Sequence, residues 1–190
     1  MRSRQSRRSH EARRARWPVQ VALATWLTAL SLVLFGSACS SPDATKISQI
    51  ALPDRTEFKT AVSPFLEKRC GALDCHGQIG RPLRLYSQFG LRLKRGANGA
   101  RDTSPTTEAE LTANYFATVG LEPEDISDSL VSQGAFNDFL LLKKPLSIEG
   151  GGVRHKGGPV LRGGDAGFDC LYSWISGKVN AGNCVEGAKL

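Results

Sequence analysis

The stretch "DRTEFKTAVSPFLEKRCGALDCHG" (54–77) joins a helical pattern to a cluster of two cysteines and a histidine. Asp54 and Glu57 have the spacing of a capping box, and apolar residues follow at helical spacing. We therefore predict an amphipathic helix that leads into the cysteines. Proline removes one backbone donor, so Pro64 is expected to kink or restart this helix. Its apolar face would consist of Phe58, Val62, Phe65 and Leu66.

The cluster places Cys70, Cys75 and His76 within seven positions of a chain that has five cysteines and three histidines. Two thiols followed directly by an imidazole are the residues that attach a haem and coordinate its iron. The spacing here is C-x4-C-H, two residues longer than C-x-x-C-H, and Gly71 is expected to relax the longer loop. A disulfide between Cys70 and Cys75 remains open as the alternative.

The N-terminus has the pattern of an export signal. Seven arginines and one acidic residue lie within 1–18, and the apolar run "VALATWLTALSLVLFGSA" (21–38) ends at Cys39. The end "GSAC" resembles the lipobox of bacterial lipoproteins, although Gly36 stands where that motif usually has leucine. This resemblance implies a signal peptide over 1–38, a lipid attached to Cys39 and, with Ser40 next, the outer membrane. An uncleaved membrane anchor is the alternative.

Removal of the signal changes the charge of the chain. Residues 1–38 hold seven of the 25 basic and one of the 18 acidic residues, which leaves 18 basic and 17 acidic residues. With no basic stripe left to neutralise phosphates, we predict that nucleic acid is not a partner. Residues 39–53 are predicted to be the lipidated cysteine and a flexible tether, and 54–190 to be one domain.

An exported protein rarely keeps free thiols, so the remaining cysteines need partners. With Cys39 lipidated, four remain, and the last two flank "LYSWISGKVNAGN" (171–183). We predict a disulfide between Cys170 and Cys184, which would close a short loop. Cys70 and Cys75 would then pair with each other or share a ligand.

Three more helices are predicted, and together with the first they make the fold mainly α. The first has a capping box at Thr107 and Glu110 and ends at Gly120; the second covers 134–146 and ends at Pro145. The third begins at Asp165 and ends at Gly177, with Phe168, Leu171, Tyr172 and Ile175 on one face. Residues 81–93 are expected to be an irregular extended excursion or a short hairpin.

The cysteine cluster and the first and last predicted helices together resemble c-type cytochromes. The segment "LLLKKPLSIEGGGVRHKGGPVLRGGDAGFDCLYSWISG" (140–177) is similar to the C-terminal part of cytochrome-like domains of exported planctomycete and myxobacterial proteins, and this resemblance covers roughly 55–190. This resemblance implies a small helical cytochrome c-like domain with an irregular insertion, in which the first and last helices cross. It also implies one covalent haem c on Cys70 and Cys75, with His76 as the proximal ligand.

The sixth iron ligand has one candidate. Met1 and His10 lie in the signal, so His155 is the other histidine of the predicted mature chain. We expect the glycines around His155 to bring its ring close to a flat cofactor, and the alternative is a surface histidine that binds nothing. Two imidazole ligands favour a lower reduction potential than histidine with methionine.

These patterns lead to three functional hypotheses. The first is a lipid-anchored electron carrier with periplasmic or membrane redox partners, located on the periplasmic or surface side of the membrane. The second is a binding or structural lipoprotein with two disulfides and no cofactor. The third is a zinc site of Cys70, Cys75, His76 and His155. No hydrolase motif is present, and peroxide turnover would require an open sixth iron position.

Overall fold

The first helix follows the predicted pattern and ends at the cysteine cluster. A computed structural model describes residues 49–94, 96–100 and 102–189 of the chain. Helix α1 covers 55–69 and consists of an α-helical turn, a π-helical segment and a second α-helical segment; these are Arg55–Glu57, Phe58–Val62 and Ser63–Arg69. Asp54 caps the helix by accepting a hydrogen bond from the Glu57 N–H. Pro64 is in the first turn of the last segment, so the helix restarts there.

The rest of the described chain is helical or irregular. The helices after α1 are α2 (Glu108–Val119), α3 (Pro123–Ser132), α4 (Leu140–Lys143), α5 (Ala166–Ile175) and α6 (Ala181–Gly187), with a 3-10 turn at Ala97–Gly99. The described residues form no β-strand, and their β pairing consists of isolated bridges at Tyr86–Leu91 and Leu146–Leu161. The mainly α fold is therefore confirmed, and 81–93 is irregular.

The predicted starts of α2 and α5 and the predicted end of α5 are confirmed. Thr107 and Glu110 form both hydrogen bonds of the capping box at the start of α2. Asp165 accepts from the Phe168 N–H at 2.7 Å and starts α5. Gly177 follows α5 with a φ of 87°, a left-handed conformation that favours glycine.

The predicted helix over 134–146 is wrong in extent, because only Leu140–Lys143 is helical. Its start is fixed by a distant residue: the Glu122 carboxylate accepts a hydrogen bond from the Leu140 N–H at 2.6 Å. Helix α6 was not predicted, since its sequence "AGNCVEG" contains two glycines, which have a low helix propensity.

The core forms where α1 packs against α5 and α6. The Phe58 ring lies 5.0 Å from the Trp174 ring and 5.5 Å from the Tyr115 ring, measured between centroids. The Trp174 indole donates to the Asp54 carbonyl at 2.8 Å. Phe58, Val62, Phe65 and Leu66 are all buried, as predicted for the apolar face of α1.

The residues just before α1 are held by the domain. The Ala51 N–H donates to the Ser127 hydroxyl at 2.9 Å, and the Tyr115 hydroxyl donates to the Pro53 carbonyl at 2.9 Å. The last part of the predicted tether therefore packs on the helices. The predicted signal peptide (1–38), the lipidation site Cys39 and residues 40–48 lie outside the described residues. Across the described ranges, every helix is too short or too polar to span a bilayer.

Candidate functional site

Cys70, Cys75 and His76 lie on one compact loop at the end of α1. Cys70 is the first residue after the helix, and its N–H donates to the Leu66 carbonyl at 2.8 Å. The His76 N–H donates back to the Cys70 carbonyl at 2.9 Å, and the Cys75 N–H donates to the Ala72 carbonyl at 3.0 Å. Backbone hydrogen bonds therefore fix the two thiols and the imidazole relative to the end of α1.

Glycines allow this loop to pack against its neighbours. A Cβ atom on Gly77 would lie 2.2 Å from the Gly71 carbonyl oxygen, and one on Gly90 would lie 2.1 Å from the same oxygen. A Cβ atom on Gly71 would lie 2.6 Å from the Glu67 carbonyl oxygen. None of the three has a positive φ. Gly71 therefore permits close packing of the loop on the end of α1.

His76 is oriented by the irregular segment that follows it. Its Nδ1 lies 2.8 Å from the Leu83 carbonyl oxygen, which can only accept, so Nδ1 carries the proton and Nε2 keeps a lone pair. Burial lowers the pKa of His76; the hydrogen bond to Leu83 opposes this, and nearby His155 and Arg81 lower the pKa further. A neutral imidazole with a free Nε2 is the form that binds a metal.

Helix α2 supports this segment through one buried side chain. The Asn114 amide accepts from the Tyr86 N–H at 2.7 Å and donates to the Tyr86 carbonyl at 2.8 Å. The next residue toward the loop, Leu85, donates its N–H to the His76 carbonyl at 2.9 Å. Asn114 therefore acts on His76 indirectly, by holding the segment that contacts it.

His155 belongs to a glycine-rich loop that the structure brings to the cysteine loop. The loop is held on one side by the Val153 N–H, which donates to the Lys143 carbonyl at 3.1 Å, and on the other by the Val160 N–H, which donates to the Pro145 carbonyl at 2.8 Å. The His155 Nδ1 lies 2.9 Å from the Gly158 carbonyl oxygen, so Nδ1 donates this hydrogen bond and the neutral form of the ring would have its lone pair on Nε2. Gly157 packs on the ring, since a Cβ atom there would lie 3.3 Å from His155 Cε1.

The two histidine rings lie close together and nearly parallel. Their centroids are 5.8 Å apart and their planes are 12° from parallel, and both residues are half-buried. Both rings bind a backbone carbonyl through Nδ1 and leave Nε2 available. The structure thus brings the two predicted iron ligands together although they are far apart in the sequence.

The two cysteines of the loop are free thiols. Burial raises the pKa of Cys70 to about 12, against the opposing charge of Arg69. Burial and Asp74 raise the pKa of Cys75, and Arg81 opposes this. Thiols in this state are weak nucleophiles. The arrangement therefore does not favour a catalytic cysteine.

The other cysteine pair forms the predicted disulfide. Cys170 and Cys184 are bonded, with Cα atoms 4.7 Å apart, and the bond joins α5 to α6. The predicted Cys2His2 zinc set is not assembled: within the ranges that the structure describes, no three histidine, cysteine or carboxylate residues are arranged to hold a metal ion. Cys70, Cys75, His76 and His155 therefore lie in one region without forming a tetrahedral site.

Two further features of the site had no clear signal in the sequence. The Nε of Arg81 is buried without a hydrogen-bond partner, close enough to lower the pKa of both His76 and Cys75. A cleft of about 220 Å³ lies beside His155 and is lined by Leu146, Ile148, Val153 and Pro159 among others. Asn114 could have been suspected, because it is a polar residue on the buried side of a helix.

Comparison with protein-family models, with curated proteins and with solved structures found no match to this chain. The functional assignment therefore depends on the residues of the site.

Proposed function

We propose that this chain is a c-type cytochrome-like lipoprotein that binds one haem covalently and transfers single electrons. The observation that carries the proposal is the pair formed by His76 and His155. Their rings are nearly parallel, and each holds its Nδ1 on a backbone carbonyl and leaves Nε2 free. The two thiols of Cys70 and Cys75 lie on the same loop as His76.

The centroid distance suits a metal that both rings would bind through Nε2, whose lone pair lies in the plane of the ring. An imidazole nitrogen lies about 2 Å from a bound transition-metal ion, so two rings on opposite sides of one ion have centroids about 6 Å apart. The observed separation is 5.8 Å. A planar tetrapyrrole supplies four ligands, so two imidazoles would complete a six-coordinate iron.

The surroundings also fit a group with carboxylates. The unpartnered, buried Nε of Arg81 lies beside His76 and Cys75, where it could donate to a carboxylate of the bound group. The cleft of about 220 Å³ beside His155 is smaller than the roughly 300–1,000 Å³ of typical small-molecule pockets. The cleft is therefore too small to enclose a haem, and none of its lining residues belongs to the cysteine loop.

When bound, a haem supplies a one-electron iron couple. The Leu83 and Gly158 carbonyls orient the two imidazoles by accepting from their Nδ1 atoms. With no methionine in the predicted mature chain, we expect a lower potential than histidine–methionine ligation gives. With both axial positions taken, we expect an electron carrier without enzymatic activity; peroxide turnover would require that His155 does not coordinate.

The proposed location follows from the N-terminal sequence. Lipidation of Cys39 would anchor the domain to a bacterial membrane, with the outer membrane favoured and the domain on the periplasmic or surface side. The partners would be redox proteins of the periplasm or membrane. Because the lipid would be attached to Cys39, replacement of Cys39 by alanine is expected to release the protein from the membrane.

A second candidate is a binding or structural lipoprotein without a cofactor. It is favoured by the continuous helical core, in which Phe58, Tyr115 and Trp174 pack directly on one another. The bond between Cys170 and Cys184 also stabilises this core without a prosthetic group. In this candidate His76 and His155 have no ligand between them, and Cys70 and Cys75 form a second disulfide in the oxidising compartment.

Removal of the thiols separates the two candidates. The full-length protein would be produced in a host that matures c-type cytochromes, as wild type and as Cys70→Ser/Cys75→Ser. The proposal predicts that wild type keeps one haem through denaturation, seen by intact mass, and that the double variant does not. Asp74→Asn, in the same loop, is the control and should keep the haem. A wild-type mass without haem, while another c-type cytochrome matures in the same cells, would contradict the proposal.

A further inference from the structure

His155 reaches the candidate site on a loop whose own contacts fix its shape. Backbone hydrogen bonds tie the two ends of the loop to residues 143–145 at the end of α4. The Lys144 ammonium donates to the Arg154 carbonyl at 3.0 Å, next to His155. All of these partners lie within the loop or at the end of α4. They hold the loop together, but they do not connect it to the cysteine loop that carries His76.

Arg69 supplies a contact between this loop and α1. Its Nη2 donates to the Val160 carbonyl at 3.1 Å, across 91 positions of the sequence. Arg69 is the last residue of α1 and Cys70 follows it, so the same helix end presents the guanidinium and the thiol. Arg69 is half-buried, and its positive charge opposes the effect of burial on the pKa of Cys70. The guanidinium therefore lies where the cysteine loop and the His155 loop meet.

Both ends of this contact are held in place by the core. Leu66, almost one helical turn before Arg69, is 1% exposed. Val160 packs against the core, and its neighbour Leu161 is buried. A Cβ atom on Gly167, in α5, would lie 2.7 Å from a methyl group of Leu161. Hydrogen bonds from a charged donor are stronger than neutral ones, so this contact between two fixed elements sets the position of the loop relative to α1.

We propose that Arg69 is a positioning residue that holds the His155 loop against the cysteine loop and so keeps the sixth iron position closed. The inference rests on the proposed function, since it assigns the control of His155 coordination at that site. A ligand on a loop coordinates only while the loop is in place, so the effective strength of coordination scales with the fraction of molecules in which the loop is held. Arg69 raises that fraction through the Val160 carbonyl.

Loss of this contact is expected to open the sixth position faster. The haem-loaded full-length protein would be compared as wild type, Arg69→Gln and Lys68→Gln; the last variant removes the same charge from an exposed neighbouring position. Carbon monoxide binds the reduced form only after His155 leaves, so the binding rate at saturating carbon monoxide measures this opening. Arg69→Gln should raise the rate by a factor of about ten or more, because a hydrogen bond from a charged donor is lost. Lys68→Gln should change it by less than about twofold.

Two further measurements separate positioning from a general loss of stability. Arg69→Lys keeps the charge beside Cys70 but has a single ammonium in place of the planar guanidinium, so its rate should lie between wild type and Arg69→Gln. If Arg69→Gln does not fold, Arg69→Lys makes the same comparison with Lys68→Gln. Hydrogen exchange should become faster in 153–161 of Arg69→Gln and stay unchanged in α5.

The outcomes distinguish this inference from the proposed function. Equal rates of carbon monoxide binding in the Arg69 and Lys68 variants would overturn the inference alone, as would exchange that becomes equally fast in α5. Equal exchange of 153–161 in these variants would overturn it whether or not haem is bound. A wild-type protein isolated without haem would overturn the proposed function, and the role of Arg69 in coordination with it.

Discussion

His76 and His155 lie on two different loops, but each ring is oriented by a backbone carbonyl. In each, Nδ1 lies within hydrogen-bond distance of a backbone carbonyl oxygen, and the two rings are close and nearly parallel. We expect His155→Ala in the haem-loaded protein to lose the six-coordinate low-spin spectrum, to bind carbon monoxide when reduced, and to regain low-spin character with added imidazole. Absorption spectra measure all three. Lys156→Ala is the control, and an unchanged low-spin spectrum in His155→Ala would exclude His155 as a ligand.

Asn114 supports the position of His76 indirectly, by holding Tyr86 next to the residue that bonds to His76. Asn114→Ala would leave the Tyr86 N–H and carbonyl buried without partners, which costs roughly 2–4 kcal/mol of the free energy of unfolding. Urea denaturation measures this. Asn137→Ala, at an exposed position, should change it by less than about 0.5 kcal/mol. A loss in Asn114→Ala no larger than in this control would show that the Tyr86 contact does not support the fold.

The sequence predicted the four side chains of the candidate site, but it did not predict the backbone groups that orient the two histidines. Cysteines and histidines are rare in this chain, so Cys70, Cys75, His76 and His155 could be singled out by type and spacing. Their orientation depends on backbone carbonyls such as those of Leu83 and Gly158, which every sequence contains and which carry no pattern.

Among the elements, helices that combine a polar cap with an apolar pattern could be predicted. Helix α6 could not, because its cap Asn180 precedes a short segment with two glycines. The caps Asp54, Thr107 and Asp165 act on residues three positions ahead, so they can be read locally. Helix α4 depends instead on the Glu122 carboxylate, and α6 is held by a disulfide to α5.

The contact between α5 and α6 requires glycine at one position. A Cβ atom on Gly187 would lie 2.6 Å from the Gly167 Cα and 3.1 Å from the Phe65 ring. We expect Gly187→Ala to lower the free energy of unfolding by about 1–3 kcal/mol, because the helices must separate. Gly182→Ala, exposed in the same helix, should be neutral or slightly stabilising. Thermal denaturation that ranks the two variants in the opposite order would contradict this packing.

For the whole molecule, a buried ion pair links the irregular region to α2. Arg92 donates to both oxygens of Glu110 at 2.9 Å, and neither side chain is more than 5% exposed. Burial alone would raise the pKa of Glu110, but hydrogen bonds from Arg92, Thr107 and Leu93 outweigh it and lower the pKa to about 2. The carboxylate therefore stabilises the fold at neutral pH.

This ion pair predicts how stability depends on acid. Because the folded pKa of Glu110 lies below the unfolded value of 4.5, its contribution is complete above 4.5 and is lost as the pH falls toward 2. The loss is about 3 kcal/mol. Burial raises the pKa of Glu67, so its protonation acts in the opposite direction and offsets part of this loss.

Urea denaturation between pH 7 and pH 2.5 measures this dependence. Glu110→Gln should be less stable at pH 7, because Arg92 stays buried, and its stability should depend less on pH. Glu124→Gln, at an exposed site on α3, should follow wild type. Identical slopes for wild type and Glu110→Gln would show that another group controls the acid transition.

The central claim is that a covalent haem lies between His76 and His155. The measurement that tests it most directly is the visible spectrum of the wild-type protein, purified from membranes of a host that matures c-type cytochromes, before and after dithionite and with a pyridine haemochrome assay. The account predicts a Soret band, a sharp α-band on reduction and a c-type haemochrome at one haem per chain. A colourless protein with Cys70 and Cys75 oxidised to a disulfide, from cells whose other c-type cytochromes are coloured, would contradict it.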